Sequence, residues 1–195
     1  AGFDLMGAFG MSSFIGSNTN WIVCITLMAL IFIGGIGFFV WGDLKEHKLH
    51  IRKYALHTKI VLITSLLLII GPSILFLILE RHALFADMNT PQAILNALFC
   101  AVTPRTAGFN TTDIASLSQS SQLLTIILMF IGGCPGSTAG GAKVTTITVL
   151  ILYLRSMLTR TDGVNIFKRR LEDEAVSKAA AVFTTHMLMD VPGYA

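Results

Sequence analysis

The tripeptide Ala1-Gly2-Phe3 returns as Ala107-Gly108-Phe109. Each copy is followed by an apolar stretch carrying Phe-Ile-Gly-Gly, at 32–35 and again at 130–133. The offsets are 106 and 98 residues, which makes a duplicated unit of about 100 residues, longer than the common solenoid periods. Each unit joins a glycine-centred polar loop to a glycine-broken membrane helix. Irregular backbone survives at membrane depth only where it is buried in protein or lines a water-filled path. The repeat therefore points to transport. Its first copy opens the sequence with nothing ahead of it, whereas the second follows a helix and Thr106, so the expectation is a piece of a longer polypeptide.

Composition agrees: 53% of the residues are hydrophobic and 13% charged, with a mean hydropathy of +0.71. Soluble domains carry about a quarter charged residues, so this is a membrane chain. Residues 21–41 are apolar except for Thr26 and would cover about 32 Å as a helix, against a hydrocarbon core of about 30 Å. Residues 60–79 form a second span, with Gly71-Pro72 inside it as an expected kink. The third region is interrupted: 122–131 apolar, 132–141 glycine-rich, 143–154 apolar again. Its halves give about 15 and 18 Å of helix, together one bilayer core. That predicts a single discontinuous helix over 122–154 with its break near the midplane.

Orientation follows from the loops. Residues 42–59 and 155–178 carry eleven of the lysines and arginines, and 80–121 carries only Arg81 and Arg105, so the first two are expected in the cytoplasm and the last outside. Within the outward loop, Thr90-Pro91 reads as a helix start and Pro104 as its end. Thirteen residues make about 20 Å, enough to dip into the bilayer but not to cross it. A re-entrant helix at 91–103 with a returning strand at 106–110 is a pore-loop arrangement; a surface helix is the plainer alternative.

A dehydrated alkali cation needs oxygen dipoles in place of its hydration shell, and a strand held with its carbonyls inward supplies them. Thr106-Ala107-Gly108-Phe109-Asn110 is such a candidate, with Gly108 as the permissive centre and Phe109 as a wedge against neighbouring helices. Ala1, Gly2 and Phe3 form the second candidate strand. The run Gly132-Gly133-Cys134-Pro135-Gly136-Ser137-Thr138-Ala139-Gly140-Gly141 lacks the spacing of a phosphate loop, because no Ser or Thr directly follows Lys143. It reads instead as a plug across a pore. Lys143 falls near the midplane, where an ammonium must meet water or a partner, unless the loop bulges enough for it to snorkel out. Cys24, Cys100 and Cys134 read as buried thiols. His47, His50 and His57 read as solvated, and Arg105 as paired with an acid of another repeat or holding carbonyls at a helix end. No catalytic arrangement is visible, so no enzyme is expected.

Thr103-Pro104-Arg105-Thr106-Ala107-Gly108-Phe109-Asn110, followed by the 130–141 run, resembles the third repeat of the KtrB/TrkH potassium transporters. Pro135 and Lys143-Val144-Thr145-Thr146 look nearer the KtrB side. Ala1–Asp4 with Gly34-Gly35-Ile36-Gly37-Phe38 resembles the end of the second repeat. The resemblance implies an all-α membrane protein of helix–pore loop–helix repeats around a pseudo-fourfold, potassium-channel-like pore, incomplete in this chain. It implies residues 1–44 as the filter strand and second membrane helix of repeat 2, and 45–59 as a cytoplasmic loop. Residues 60–155 would be repeat 3, with membrane helix 60–79, pore helix 91–103, filter 106–110 and broken helix 122–154. Residues 156–195 would be a cytoplasmic loop and the start of repeat 4.

The resemblance also implies K⁺ bound at filter carbonyls of Ala1, Gly2, Phe3, Thr106, Ala107, Gly108, Phe109 and Asn110. The gate would comprise Gly132, Gly133, Gly136, Ser137, Thr138, Ala139, Gly140, Gly141 and Lys143. It implies K⁺ uptake across the plasma membrane with the filter outside, and Na⁺ as a candidate coupling or activating ion. No bound cofactor and no nucleic acid are implied. A homodimer in the lipid bilayer and a cytoplasmic nucleotide-binding regulatory ring are the expected partners. Two places depart from the family pattern: Ala142 stands where a bulky aliphatic is usual, and 175–195 carries Lys178, His186 and Asp190 where an apolar helix should begin. The competing reading is a secondary transporter whose broken helix binds an anionic solute at the start of 143–154. A non-transporting assembly subunit is the third.

Overall fold

A computed structural model describes residues 13–48, 50–105, 107–159, 165–166, 169–170 and 173–190. The described chain is helical: α1 (Trp21–Gly35), α2 (Phe38–His47), α3 (Leu56–Glu80), α4 (Thr90–Val102), α5 (Gln119–Phe130), α6 (Val144–Leu158) and α7 (Asp173–Asp190). Between α6 and α7, β1 (Asn165–Ile166) and β2 (Arg169–Arg170) form a minimal antiparallel ribbon. Ala1, Gly2, Phe3 and Thr106 of the expected filter strands lie outside the described residues.

Local chemistry explains most boundaries. Asn20 caps α1 by accepting the Val23 N–H at 3.3 Å, and Ser118 caps α5 by accepting the Ser121 N–H at 3.4 Å. Pro91 sits in the first turn of α4, where its missing N–H costs nothing. α3 is the one described helix long and apolar enough by itself to cross a membrane. It runs through Pro72, where the Ser73 hydroxyl donates to the Ile69 carbonyl at 2.6 Å.

The expected straight span at 21–41 is not straight. It divides into α1 and α2, which meet at 95°. Gly37 is the cause: at φ +91°, ψ 154° it occupies a region essentially closed to residues with a Cβ. Its place is taken up by packing, since an added Cβ would lie 2.4 Å from the Pro135 carbonyl oxygen. Both copies of Phe-Ile-Gly-Gly therefore mark a helix break.

α3 is the hub. Against it α4 presents Ala93, Ala97 and Ala101, one stripe of small residues that lets two backbones approach, as helices in lipid require. Phe76, Phe85 and Leu128 complete that cluster from α3, the following turn and α5. A second cluster joins Ile36, Val40, Val61, Cys134 and Val144, seating the α1–α2 break, α3 and the glycine loop together. Large apolar side chains remain exposed on α3 (Leu66, Leu67, Ile70, Ile74), α5 (Leu123, Ile126, Met129) and α6 (Ile151, Leu154). Faces of that extent suit lipid or further protein rather than water. α7 lies against α6, and Phe183 meets Phe130 edge to face at 5.7 Å.

Glu80 ends α3 fully buried. A carboxylate there faces the negative end of the helix dipole and loses its hydration. Three donors compensate: the Ser118 hydroxyl at 2.6 Å, the Ser118 N–H at 2.9 Å and the Leu84 N–H at 3.5 Å. Because Ser118 also caps α5, this carboxylate ties the end of α3 to the start of α5. Glu80→Ala orphans those donors and should cost about 2–3 kcal/mol, read as a lower thermal midpoint of the purified full-length protein. Glu80→Gln, which keeps one acceptor oxygen, should lose less. An unchanged midpoint for Glu80→Ala would refute the tie.

Candidate functional site: a glycine strand and a docked glycine loop

The strand after α4 is held at both ends. Ala107 N–H donates to the Thr103 carbonyl at 3.2 Å, and the Thr103 hydroxyl donates to the Phe109 carbonyl. At the far end Asn110 N–H donates to the Ser13 hydroxyl at 2.8 Å, and Phe14 N–H donates to the Asn110 carbonyl at 2.9 Å. Ser13 and Phe14 belong to the segment after the first Ala-Gly-Phe copy, so the two repeats are laced together here. Phe109 is the expected wedge: its ring meets Phe14 edge to face at 5.5 Å and packs on the Cys24–Leu95–Phe99 cluster of α1 and α4. Between the anchors Gly108 has φ +79°. Among the described residues no donor reaches the carbonyls of Ala107 or Gly108. Asn96, buried on α4, adds a further tie by donating to the Asn18 carbonyl at 3.3 Å.

The second element lies between α5 and α6. Helices of 12 and 15 residues reach about 18 and 22 Å, so neither crosses a bilayer alone. Residues 131–143 form a bonded loop rather than a loose plug. Its neck is closed by Gly132 N–H to the Ala142 carbonyl at 3.0 Å, Ala142 N–H to the Phe130 carbonyl at 3.2 Å and Gly133 N–H to the Gly140 carbonyl at 3.3 Å. Ala142 is buried in that neck. Inside the loop the Ser137 hydroxyl donates to the Cys134 carbonyl at 2.6 Å and accepts the Ala139 N–H at 3.4 Å. Lys143 finds a partner within the loop: its Nζ donates to the Ala139 carbonyl at 2.7 Å. Gly133, Gly136, Ser137, Ala139, Gly140 and Gly141 are thus gathered with Gly132 and Lys143, and Thr138 is exposed on the loop.

The loop docks on the other broken helix. Cys134 N–H donates to the Gly35 carbonyl at 3.1 Å, and Phe38 N–H donates to the Gly136 carbonyl at 3.1 Å. Each break thereby satisfies backbone groups that the other has freed, which is the condition for irregular backbone at membrane depth. The docking partner at Gly35–Gly37 was not anticipated, although the repeated Phe-Ile-Gly-Gly carried the signal.

Other side chains also differ from expectation. His47 is half-buried with its Nδ1 2.9 Å from Asp43 Oδ1, and His57 packs edge-on to Phe39. Arg105 is buried and donates through Nη1 to the Ser65 carbonyl of α3 at 3.2 Å, so it holds a carbonyl on a different helix rather than at its own helix end. All three cysteines are free and buried.

The TrkH family, described as a cation transport protein, matches residues 1–188. The chain belongs to this family. It is 39% identical over 184 residues to the potassium/sodium uptake protein NtpJ of Enterococcus hirae, covering 94% of this chain and 40% of that protein. To the Ktr system potassium uptake protein B of Vibrio alginolyticus it is 36% identical over 185 residues, covering 93% and 40%. The chain thus spans about 40% of the length of these TrkH-family relatives. The crystal structure of the potassium transporter TrkH from Vibrio parahaemolyticus matches it with a TM-score of 0.69 at 23% identity, over 84% of this chain and 36% of that one. The fold is accordingly the all-α fold of TrkH-family membrane transporters.

Proposed function

We propose that the protein containing this chain takes up K⁺ across the plasma membrane. The carbonyls of Thr106, Ala107 and Gly108, with those of the copy at Ala1 and Gly2, replace the ion's hydration shell. The observation that carries the reading is the strand itself: a positive-φ glycine between two anchored ends, with the carbonyls of Ala107 and Gly108 left without donors. Carbonyl dipoles fixed in this way suit a dehydrated monovalent cation. The carbonyls of Phe109 and Asn110 are already engaged, so these two residues anchor the strand rather than face the ion. The loop at 132–141 serves as the intramembrane gate, with Lys143 fastening it.

In this reading the filter faces outward and the basic segments 42–59 and 155–178 face the cytoplasm, where a nucleotide-binding regulatory ring docks. The protein works as a dimer, with Na⁺ as a coupling or activating ion. Less support falls to the anion-transporter alternative, because Val144, the first residue of α6, donates its N–H to the Gly133 carbonyl at 3.1 Å and Lys143 spends one of its donors on the Ala139 carbonyl. The experiment is ⁸⁶Rb⁺ uptake into K⁺-uptake-deficient cells producing the full-length protein. Saturable uptake, suppressed by K⁺ at lower concentration than by Na⁺, is expected. No uptake with the protein present in the membrane would sink the proposal.

A further inference from the structure

One turn of α3 holds both functional elements. Arg105, two residues ahead of Ala107, donates through Nη1 to the Ser65 carbonyl at 3.2 Å. The Ser65 hydroxyl lies 3.5 Å from the Cys134 thiol, in the loop. Its neighbour Thr64 accepts from the Thr148 hydroxyl of α6 at 3.2 Å, just past the loop's end. Cys134 in turn holds the α1–α2 break through Gly35. Ser65 and Cys134 are fully buried and Arg105 nearly so, which keeps water from substituting for these contacts.

We infer that Ser65 is a positioning residue that couples the strand at 107–108 to the glycine loop, its carbonyl held by Arg105 and its hydroxyl by Cys134. The inference deepens the reading of these elements as filter and gate and rests on it. A buried guanidinium must keep its acceptors, so a shift of Arg105 with the strand carries the Ser65 carbonyl with it. The hydroxyl on that residue then moves against Cys134, whose N–H is half of the docking pair. Ser65 thus meets Arg105 through its carbonyl and Cys134 through its hydroxyl.

Coupling is tested without transport by following alkylation of each cysteine in the purified full-length protein with N-ethylmaleimide and mass spectrometry. Arg105→Gln should raise the rate at Cys134 at least threefold while Cys24 and Cys100, also buried, keep theirs. Ser65→Ala should raise Cys134 by a similar factor, and adding Arg105→Gln to it should change the rate little further. Ser65→Thr, which keeps the hydroxyl, should stay within twofold of the unsubstituted protein. An unchanged Cys134 rate in Arg105→Gln overturns the inference. So does a parallel rise at all three cysteines, which reports general loosening, or a double variant whose effect is the product of the two singles. Because no flux is measured, these outcomes stand apart from any failure of ⁸⁶Rb⁺ uptake.

Discussion

Gly37→Ala unseats the glycine loop: ⁸⁶Rb⁺ uptake by the full-length protein, measured without activating conditions, rises at least tenfold. Two effects act together. The φ and ψ of Gly37 are essentially reserved for glycine and cost a side-chain-bearing residue about 1–3 kcal/mol. The added methyl would also sit 2.4 Å from the Pro135 carbonyl oxygen, which is backbone and cannot step aside alone. Relief requires the α1–α2 corner and the loop to separate, breaking the bonds between Phe38 and Gly136 and between Cys134 and Gly35. A bias of about 2 kcal/mol against docking shifts the docked-to-undocked ratio by about thirtyfold. Gly34→Ala supplies the contrast three residues away. Gly34 is helical with open space around its Cβ position, so alanine there should leave uptake unchanged and stabilise the helix by about 0.5–1 kcal/mol. Equal uptake by both variants, at equal amounts in the membrane, would show that docking does not restrain the pathway.

That corner also marks the limit of what the residues disclose one by one. α3, α4 and the α5–α6 break were legible because apolar length, a first-turn proline and a glycine cluster act locally. α4 begins at Thr90, one residue before the expected start. The sharpness of the α1–α2 break was hidden because 21–41 is apolar enough to be a straight helix. What bends it is a contact with residues 135–136, about 100 positions away. The duplicated Phe-Ile-Gly-Gly was the available clue: if one copy breaks a helix, the other has the same means to do so. Ser65, Thr103 and Glu80 were invisible for a related reason. A hydroxyl in an apolar run or an acid at a helix end announces a partner but not which one, and here the partners are Cys134, the Phe109 carbonyl and Ser118. Lys143 was expected to need a polar neighbour, and the neighbour is four residues back in its own loop.

The strand makes the sharpest demand on one residue. Gly108→Ser places a Cβ at φ +79°, a left-handed value that costs an L-residue about 1–2 kcal/mol. The strand cannot relax by sliding, because Thr103 and Phe109 pin one side and Ser13, Phe14 and Asn110 the other. The strain must therefore be taken up at the carbonyls of Ala107 and Gly108, the two without donors. If these oxygens line the ion path, apparent affinity for ⁸⁶Rb⁺ should fall by about five- to thirtyfold, matching that cost, and the preference for K⁺ over Na⁺ should shrink with it. Thr103→Val gives an independent route to the same readout: it removes the hydroxyl that holds the Phe109 carbonyl and leaves Gly108 untouched, and Thr103→Ser restores the hydroxyl. Weakened affinity and preference in Gly108→Ser and Thr103→Val, with Thr103→Ser near the unsubstituted protein, is the expected pattern. Intact affinity and preference in Gly108→Ser would place the ion path elsewhere, since no other described residue of the strand requires glycine.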